Sequence, residues 1–321
     1  MMINKVAVIG GSGFVGSSIV NKLNDEGYQV KVLTRNRERA KHLILLPQVE
    51  VETCDVSDSM ALKSAITGCD AVINLVGILH EGKNSTFDKV HHQLPKCIAE
   101  ICHELGVKRF LHMSALRAST EAPSQYLQSK ARGEIALNAF NESLNVTIFK
   151  PSIIFGRDDS FLNLFATMTK YLPVIFLAKP ESKFQPIWVE DVASIFVNSL
   201  QNDGTYHKTY ELGGPSVYSL QALVEKVMHL LNKKKPIIGL SDRLSYLQAW
   251  FLEWLPVKLM TRDNVRSMEV DSVTSSSMPS EIAYSLTPLE AIMPSYILNK
   301  TPRAKYHQYR TAAGRTINAR R

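Results

Sequence analysis

Tyr126-Leu127-Gln128-Ser129-Lys130 sets a phenol and an ammonium four residues apart. On a helix that spacing places both on one face. The ammonium favours the phenolate and is expected to lower the tyrosine pKa toward working pH. A tyrosine so placed gives a proton to a carbonyl oxygen while hydride reaches the carbonyl carbon. Ser114 ends an apolar run over 108–114, before that helix, and its hydroxyl is expected to orient the carbonyl. The expected catalytic set is therefore Ser114, Tyr126 and Lys130, with Lys130 also reaching ribose hydroxyls.

Chemistry of that kind needs a bound hydride carrier, and the start of the chain offers a place for one. An apolar strand over 3–9 runs into Gly10-Gly11-Ser12-Gly13-Phe14-Val15-Gly16, followed by an amphipathic helix. Glycines let the backbone turn tightly and approach a pyrophosphate, and the helix N-terminus presents free N–H groups to the phosphates. The context of strand, glycine turn and helix makes the motif specific. The second strand ends at Thr34-Arg35 with no carboxylate to select a free ribose 2′-OH. Arg35 and Arg37 suit a 2′-phosphate, so NADP(H) is favoured over NAD(H). Asp55-Val56, after the third strand, suits the adenine amino group. Leu75-Val76-Gly77, after the fourth, suits a close approach of backbone to cofactor.

The elements that must carry these residues alternate. Strand-like runs fall near 3–9, 29–34, 49–53, 70–76, 108–114 and 144–150, with helical patterns near 13–26, 36–44, 58–66, 86–104 and 126–141. This predicts an α/β fold, a Rossmann-type doubly wound parallel sheet. Shorter helices near 160–171, 190–200 and 219–231 predict a smaller, mostly helical C-terminal domain. The expected division is 1–158 for the nucleotide domain with 183–212 returning to it, and 159–182 with 213–299 for the smaller domain. A basic tail follows over 300–321.

Composition narrows the function classes. The 321 residues are 45% apolar and 21% charged, as in an ordinary soluble chain. Cys54, Cys69, Cys97 and Cys102 form no Cys-X-X-Cys pair, and the nine histidines lack ligand spacing, so no metal site is expected. No charged leader precedes the first strand, which points to the cytoplasm. The net charge of +7 resides in 300–321, which holds seven basic and no acidic residues. Such asymmetry suits an anionic surface rather than nucleic acid. Over 242–260, Leu247, Trp250, Phe251 and Trp254 fall on one helix face. That face is either core of the smaller domain or, with 244–260 and 300–321 acting together, a docking face for an anionic membrane or a respiratory-chain protein. The second alternative makes the chain peripheral on the inner membrane.

The order of the glycine turn, Asp55-Val56, Asn74 to Gly77, Ser114, Tyr126 with Lys130, and Lys150-Pro151-Ser152 resembles the extended and atypical short-chain dehydrogenase/reductase superfamily. The stretches 149–163 (FKPSIIFGRDDSFLN), 184–193 (FQPIWVEDVA), 210–215 (YELGGP) and 259–268 (LMTRDNVRSM) resemble one branch of it. That branch contains the nucleotide-binding accessory subunit of respiratory complex I and its bacterial relatives. The resemblance implies a tightly held NADP(H), adds Pro151 to the nucleotide contacts, and implies a link to the respiratory chain or quinones. His91 stands where extended members often carry an asparagine, and a histidine there can relay protons.

Three readings follow. The first is an oxidoreductase moving hydride between NADP(H) and a carbonyl, alcohol or quinone. The second is a non-catalytic, NADPH-stabilised accessory protein. The third is a sugar-nucleotide epimerase or dehydratase, which the Arg35 environment disfavours.

Overall fold

The computed structural model describes residues 3–82, 85–255, 259–282 and 284–298. The tail over 300–321 lies outside the described residues. The first half alternates β1 (Lys5–Ile9), α1 (Phe14–Asp25), β2 (Gln29–Thr34), β3 (Val49–Thr53), α2 (Ser59–Ile66), β4 (Ala71–Asn74), α3 (Leu94–Leu105), β5 (Arg109–Met113), α4 (Gln125–Asn138) and β6 (Asn145–Pro151). Residues 36–44 do not form the expected α-helix, only a short 3-10 turn over Arg37–Ala40 begun by Asn36, whose side chain accepts from the Glu38 amide. A π-helical turn over Lys89–Gln93 leads into α3.

The second half holds β7 (Ile154–Phe155), α5 (Phe161–Tyr171), β8 (Ile175–Ala178), β9 (Lys183–Phe184), β10 (Ile187–Trp188), α6 (Val189–Ser199), β11 (Lys208–Leu212), β12 (Tyr218–Ser219), α7 (Leu220–Leu230), β13 (Ile237–Leu240), α8 (Asp242–Glu253), α9 (Arg262–Ser267) and α10 (Leu289–Ile297). The main sheet has the order β11-β6-β5-β4-β1-β2-β3 and every pairing in it is parallel. The order reverses between β1 and β4, which opens the crevice where ligands bind in such sheets.

Strand periodicity explains why both faces are covered. In β1, Val6 and Val8 join one core with Ile19, Val20, Val192 and Phe196, while Ala7 and Ile9 join the opposite core with Leu62, Ile66 and Ile98. A third core of Phe155, Leu162, Phe165, Leu223 and Val227 belongs to the smaller helical part. Beneath the sheet, the buried Arg109 guanidinium donates to Leu200 O, Asn145 O, Thr147 Oγ1, Ser199 O and Thr205 Oγ1. Burial pushes its pKa down to about 10.

The core reading of the aromatic helix is corrected here. Ser245 and Ala249 are the buried residues of α8. Leu247, Trp250, Phe251 and Trp254 are exposed. Periodicity reports that a helix has an apolar face, not what covers it. Among the described residues no helix is long and apolar enough to cross a membrane.

Candidate nucleotide and proton-transfer site

The glycine turn has the geometry of a phosphate cradle. Gly10 adopts φ +85°, and a Cβ there would press on the Leu75 and Val76 backbone at 3.3 Å. A Cβ on Gly16 would fall inside contact distance of the Gly10 carbonyl oxygen and the Gly11 backbone, so strand and helix meet there only through glycine. The first turn of α1 has no side-chain cap and no acidic residue. Its orphan N–H groups and dipole end are therefore free to meet an anion. These features fit a dinucleotide pyrophosphate. Phe14 lies against Gly156, and Ser12 Oγ bonds Thr34 Oγ1 at 3.0 Å, which ties the turn to the end of β2.

At that strand end Arg35 and Arg37 are exposed. Asp55 is held below the usual carboxylate range by the amide and hydroxyl of Ser57, with Arg35 adding to the effect. Val56 packs on the core beneath. Asn74 closes β4 by accepting from Val76 N at 3.2 Å. Pro151 ends β6 and is buried, its carbonyl accepting from Leu116 N at 3.0 Å.

Tyr126 and Lys130 lie on α4, whose N-cap Ser124 accepts from Leu127 N. Lys130 Nζ donates to Met113 O at 3.1 Å and stands 3.4 Å from where a Gly77 Cβ would sit. Tyr126 packs edge-on against His91, ring centroids 5.4 Å apart, and against Phe87 at 6.0 Å. The structure thus joins Gly10, Val76, Gly77, Lys130, His91 and Tyr126 in one run of contacts along the crevice.

Three expectations change on this geometry. Burial pushes the Tyr126 phenol up to about 12, opposite to the expected lowering. The cause is desolvation by burial. Lys130 is itself pushed down to about 8 by burial, against the opposing influence of Glu134.

Ser114 is buried, and its hydroxyl donates to Glu134 Oε1 in a short hydrogen bond. That hydrogen is spent on a carboxylate, so it is not aimed at a carbonyl.

His91 has both ring nitrogens hydrogen-bonded. Its Nε2 accepts from Ile78 N at 3.0 Å, and Nδ1 bonds Ser129 Oγ at 2.9 Å, whose own hydrogen goes to Tyr126 O. Both nitrogens are committed, and burial drives its pKa down to about 2.

Two residues bonded to this cluster are not among those the sequence patterns single out. Glu134 lies four residues after Lys130 and joins Ser114 to Lys150, whose Nζ reaches Glu134 Oε2 at 3.1 Å. The repeat of the four-residue spacing was its signal. Asp263, on α9, accepts from Gln125 N at 2.8 Å and Tyr126 N at 3.0 Å. A carboxylate at the first turn of α4 offsets its dipole and fixes the tyrosine. No local pattern announces a partner so far along the chain.

A sequence profile of the NAD(P)H-binding family matches residues 10–203. The chain is 31% identical over 299 residues to the Arabidopsis thaliana mitochondrial protein named NADH dehydrogenase [ubiquinone] 1 alpha subcomplex subunit 9, covering 89% of this chain and 73% of that one. It is 31% identical over 245 residues to a ceramide reductase of Caulobacter vibrioides, covering 74% of each. In structure it superposes on an Escherichia coli NADPH-dependent quinone oxidoreductase with a TM-score of 0.74 at 19% identity, covering 92% of this chain and all of that one. That last likeness carries the fold alone. With its glycine cradle, switch-point crevice and match to subunit 9 proteins over 89% of its length, this chain belongs to the NAD(P)H-binding family, in the group of the complex I alpha subcomplex subunit 9.

Proposed function

We propose that the protein is an NADP(H)-dependent oxidoreductase that reduces a carbonyl or quinone, with Tyr126 as proton donor and Lys130 holding the nucleotide ribose. The observation carrying this is the shared α4 face of Tyr126 and Lys130, with Lys130 Nζ set against Gly77 at the crevice. When bound, the nucleotide supplies hydride to the substrate carbon. Tyr126 would then give its phenolic proton to the substrate oxygen and regain one from solvent, so that a carbonyl gaining one hydride and one proton becomes an alcohol and the nucleotide is oxidised. A quinone gains the same hydride and proton and becomes a hydroquinone after a proton shift from carbon to its second oxygen. The raised phenol keeps that proton at neutral pH until the oxygen turns basic. Arg35 and Arg37, exposed where a carboxylate would select NAD(H), support the 2′-phosphate form. Residues 1–158 with 183–212 carry the nucleotide.

A second reading has its own support. The commitment of the Ser114 hydroxyl to Glu134 removes one substrate-orienting donor and favours a structural nucleotide in an accessory partner of a respiratory-chain protein. One measurement separates the two. Nucleotide released from the purified chain is identified by mass spectrometry before and after incubation with carbonyls and quinones. Conversion of NADPH to NADP⁺ by one compound, slowed about 100-fold in Tyr126→Phe, is the expected result. NADPH that stays unoxidised throughout favours the accessory role, and NAD(H) in its place overturns the reading of Arg35.

A further inference from the structure

Helix α8 is built inside out. Its buried residues are the small Ser245 and Ala249, while Leu244, Leu247, Trp250, Phe251, Trp254 and Leu255, just beyond its end, are 38% to 77% exposed. At about 100° per residue these six fall within an arc of about 140°, opposite the buried pair. The Trp250 and Trp254 rings meet edge to face at 6.1 Å on that arc. Tryptophan pairs on an apolar face are what a membrane–water boundary favours.

The charges around the face are sorted by sign. Arg243 is exposed and is the one charged residue of α8 within the arc. Asp242 and Glu253 lie off it, and each is tied to a cation, Asp242 to Lys179 at 2.7 Å and Glu253 to Arg262 at 3.0 Å. Beside the helix, β8 and β13 pair in register, Phe176 opposite Ile238, both exposed, and Gln248 Nε2 on α8 donates to Phe176 O at 3.2 Å. Lys233, Lys234 and Lys235 lead into β13. The segment after α10 carries seven more basic residues and no acidic one.

We propose that the α8 face docks on an anionic lipid bilayer, with the helix lying in the headgroup plane and the basic tail adding attraction to the charged lipids. A helix of twelve residues is too short to span, so it lies flat. The proposal stands apart from the nucleotide chemistry, which uses neither α8 nor the tail.

The test uses the full chain with vesicles of phosphatidylglycerol in phosphatidylcholine, and with phosphatidylcholine alone. The chain is expected to sediment with the anionic vesicles at least tenfold more than with neutral ones, and less so at high salt. Tryptophan emission should shift to the blue and be quenched by brominated acyl chains. The combined variant Trp250→Ser, Phe251→Ser and Trp254→Ser should lose most of this binding with NAD(P)H affinity unchanged. A parent chain that stays in the supernatant, or one whose tryptophans escape the brominated lipids, overturns the proposal. So does a variant that binds like the parent. Binding to a respiratory-chain protein in detergent, with no affinity for vesicles, assigns the face to a protein partner instead.

Discussion

At the residue scale, the crevice is governed by what burial does to charge. Lys130 keeps its proton only below about pH 8, since its pKa is lowered from the ordinary 10.5. If its ammonium holds the ribose, nucleotide affinity is level below that pH and falls as pH rises through it. Glu134 is the nearby carboxylate that raises Lys130, while the neutral His91 and His112 sit close by. Glu134→Gln is therefore expected to move the fall in affinity to lower pH, seen by titrating NADPH fluorescence across pH. His91 and His112 are buried neutral, with folded pKa values below the ordinary 6.5. The unfolded chain takes up protons that the native chain cannot, so stability is lost as pH falls below about 6.5. His91→Asn keeps an acceptor for Ile78 N and a donor for Ser129. It should unfold within about 1 kcal/mol of the parent at pH 7 and lose less stability on acidification, as read by urea unfolding at several pH values. Tyr126 and Lys130 were legible from their spacing. Glu134 repeated that four-residue spacing, but a glutamate on a helix reads as solvated until its partners are known.

At the element scale, the parallel sheet was visible because fully buried strands are unbroken apolar runs, and the six expected strands appear within a few residues of their predicted bounds. The 3-10 turn after β2 was missed since the Asn36 side chain, accepting from the Glu38 amide, starts a tight local turn that the helical pattern does not announce. The largest gap concerns α9. Its Asp263 holds the first turn of α4, and Ser267 Oγ donates to Ser124 Oγ at 2.8 Å. Asp263→Ala removes two charge-assisted bonds to the tyrosine-bearing turn. It should cost about 1–2 kcal/mol of stability and lower turnover while NADPH affinity stays within about twofold. Equal losses in both would place Asp263 in the nucleotide site rather than behind the tyrosine.

At the scale of the whole molecule, the smaller helical part is stitched to the sheet by polar contacts. Arg117 donates to Asp271 O and Val273 O, and Asp191 accepts from the Thr287 amide and hydroxyl. The chain should therefore unfold as one transition. NADPH at about 100 times its Kd should stabilise it by about 2.7 kcal/mol, a rise of about 5 °C in Tm by scanning calorimetry. Two separated transitions, with only one moved by nucleotide, would show that the parts fold independently. Composition indicated the charge of the tail and helical spacing the apolar face of α8, but which way that face points is decided by the packing of Ser245 and Ala249.

The π turn over Lys89–Gln93 has a consequence for how this chain tolerates change in length. A π turn holds one residue more than an α turn and survives where a side chain depends on the extra step. Here that side chain is His91, which braces Ile78 at the crevice and presses its carbonyl so close to α4 that a side chain at Gly133 would not fit. Deleting one residue from 89–93 would restore a regular helix and leave the hydrophobic pattern of α3 intact. It would also swing the preceding residues about 100° around the axis and take the brace away. A single-residue gap at this position would mark a chain that has kept the fold and given up the site.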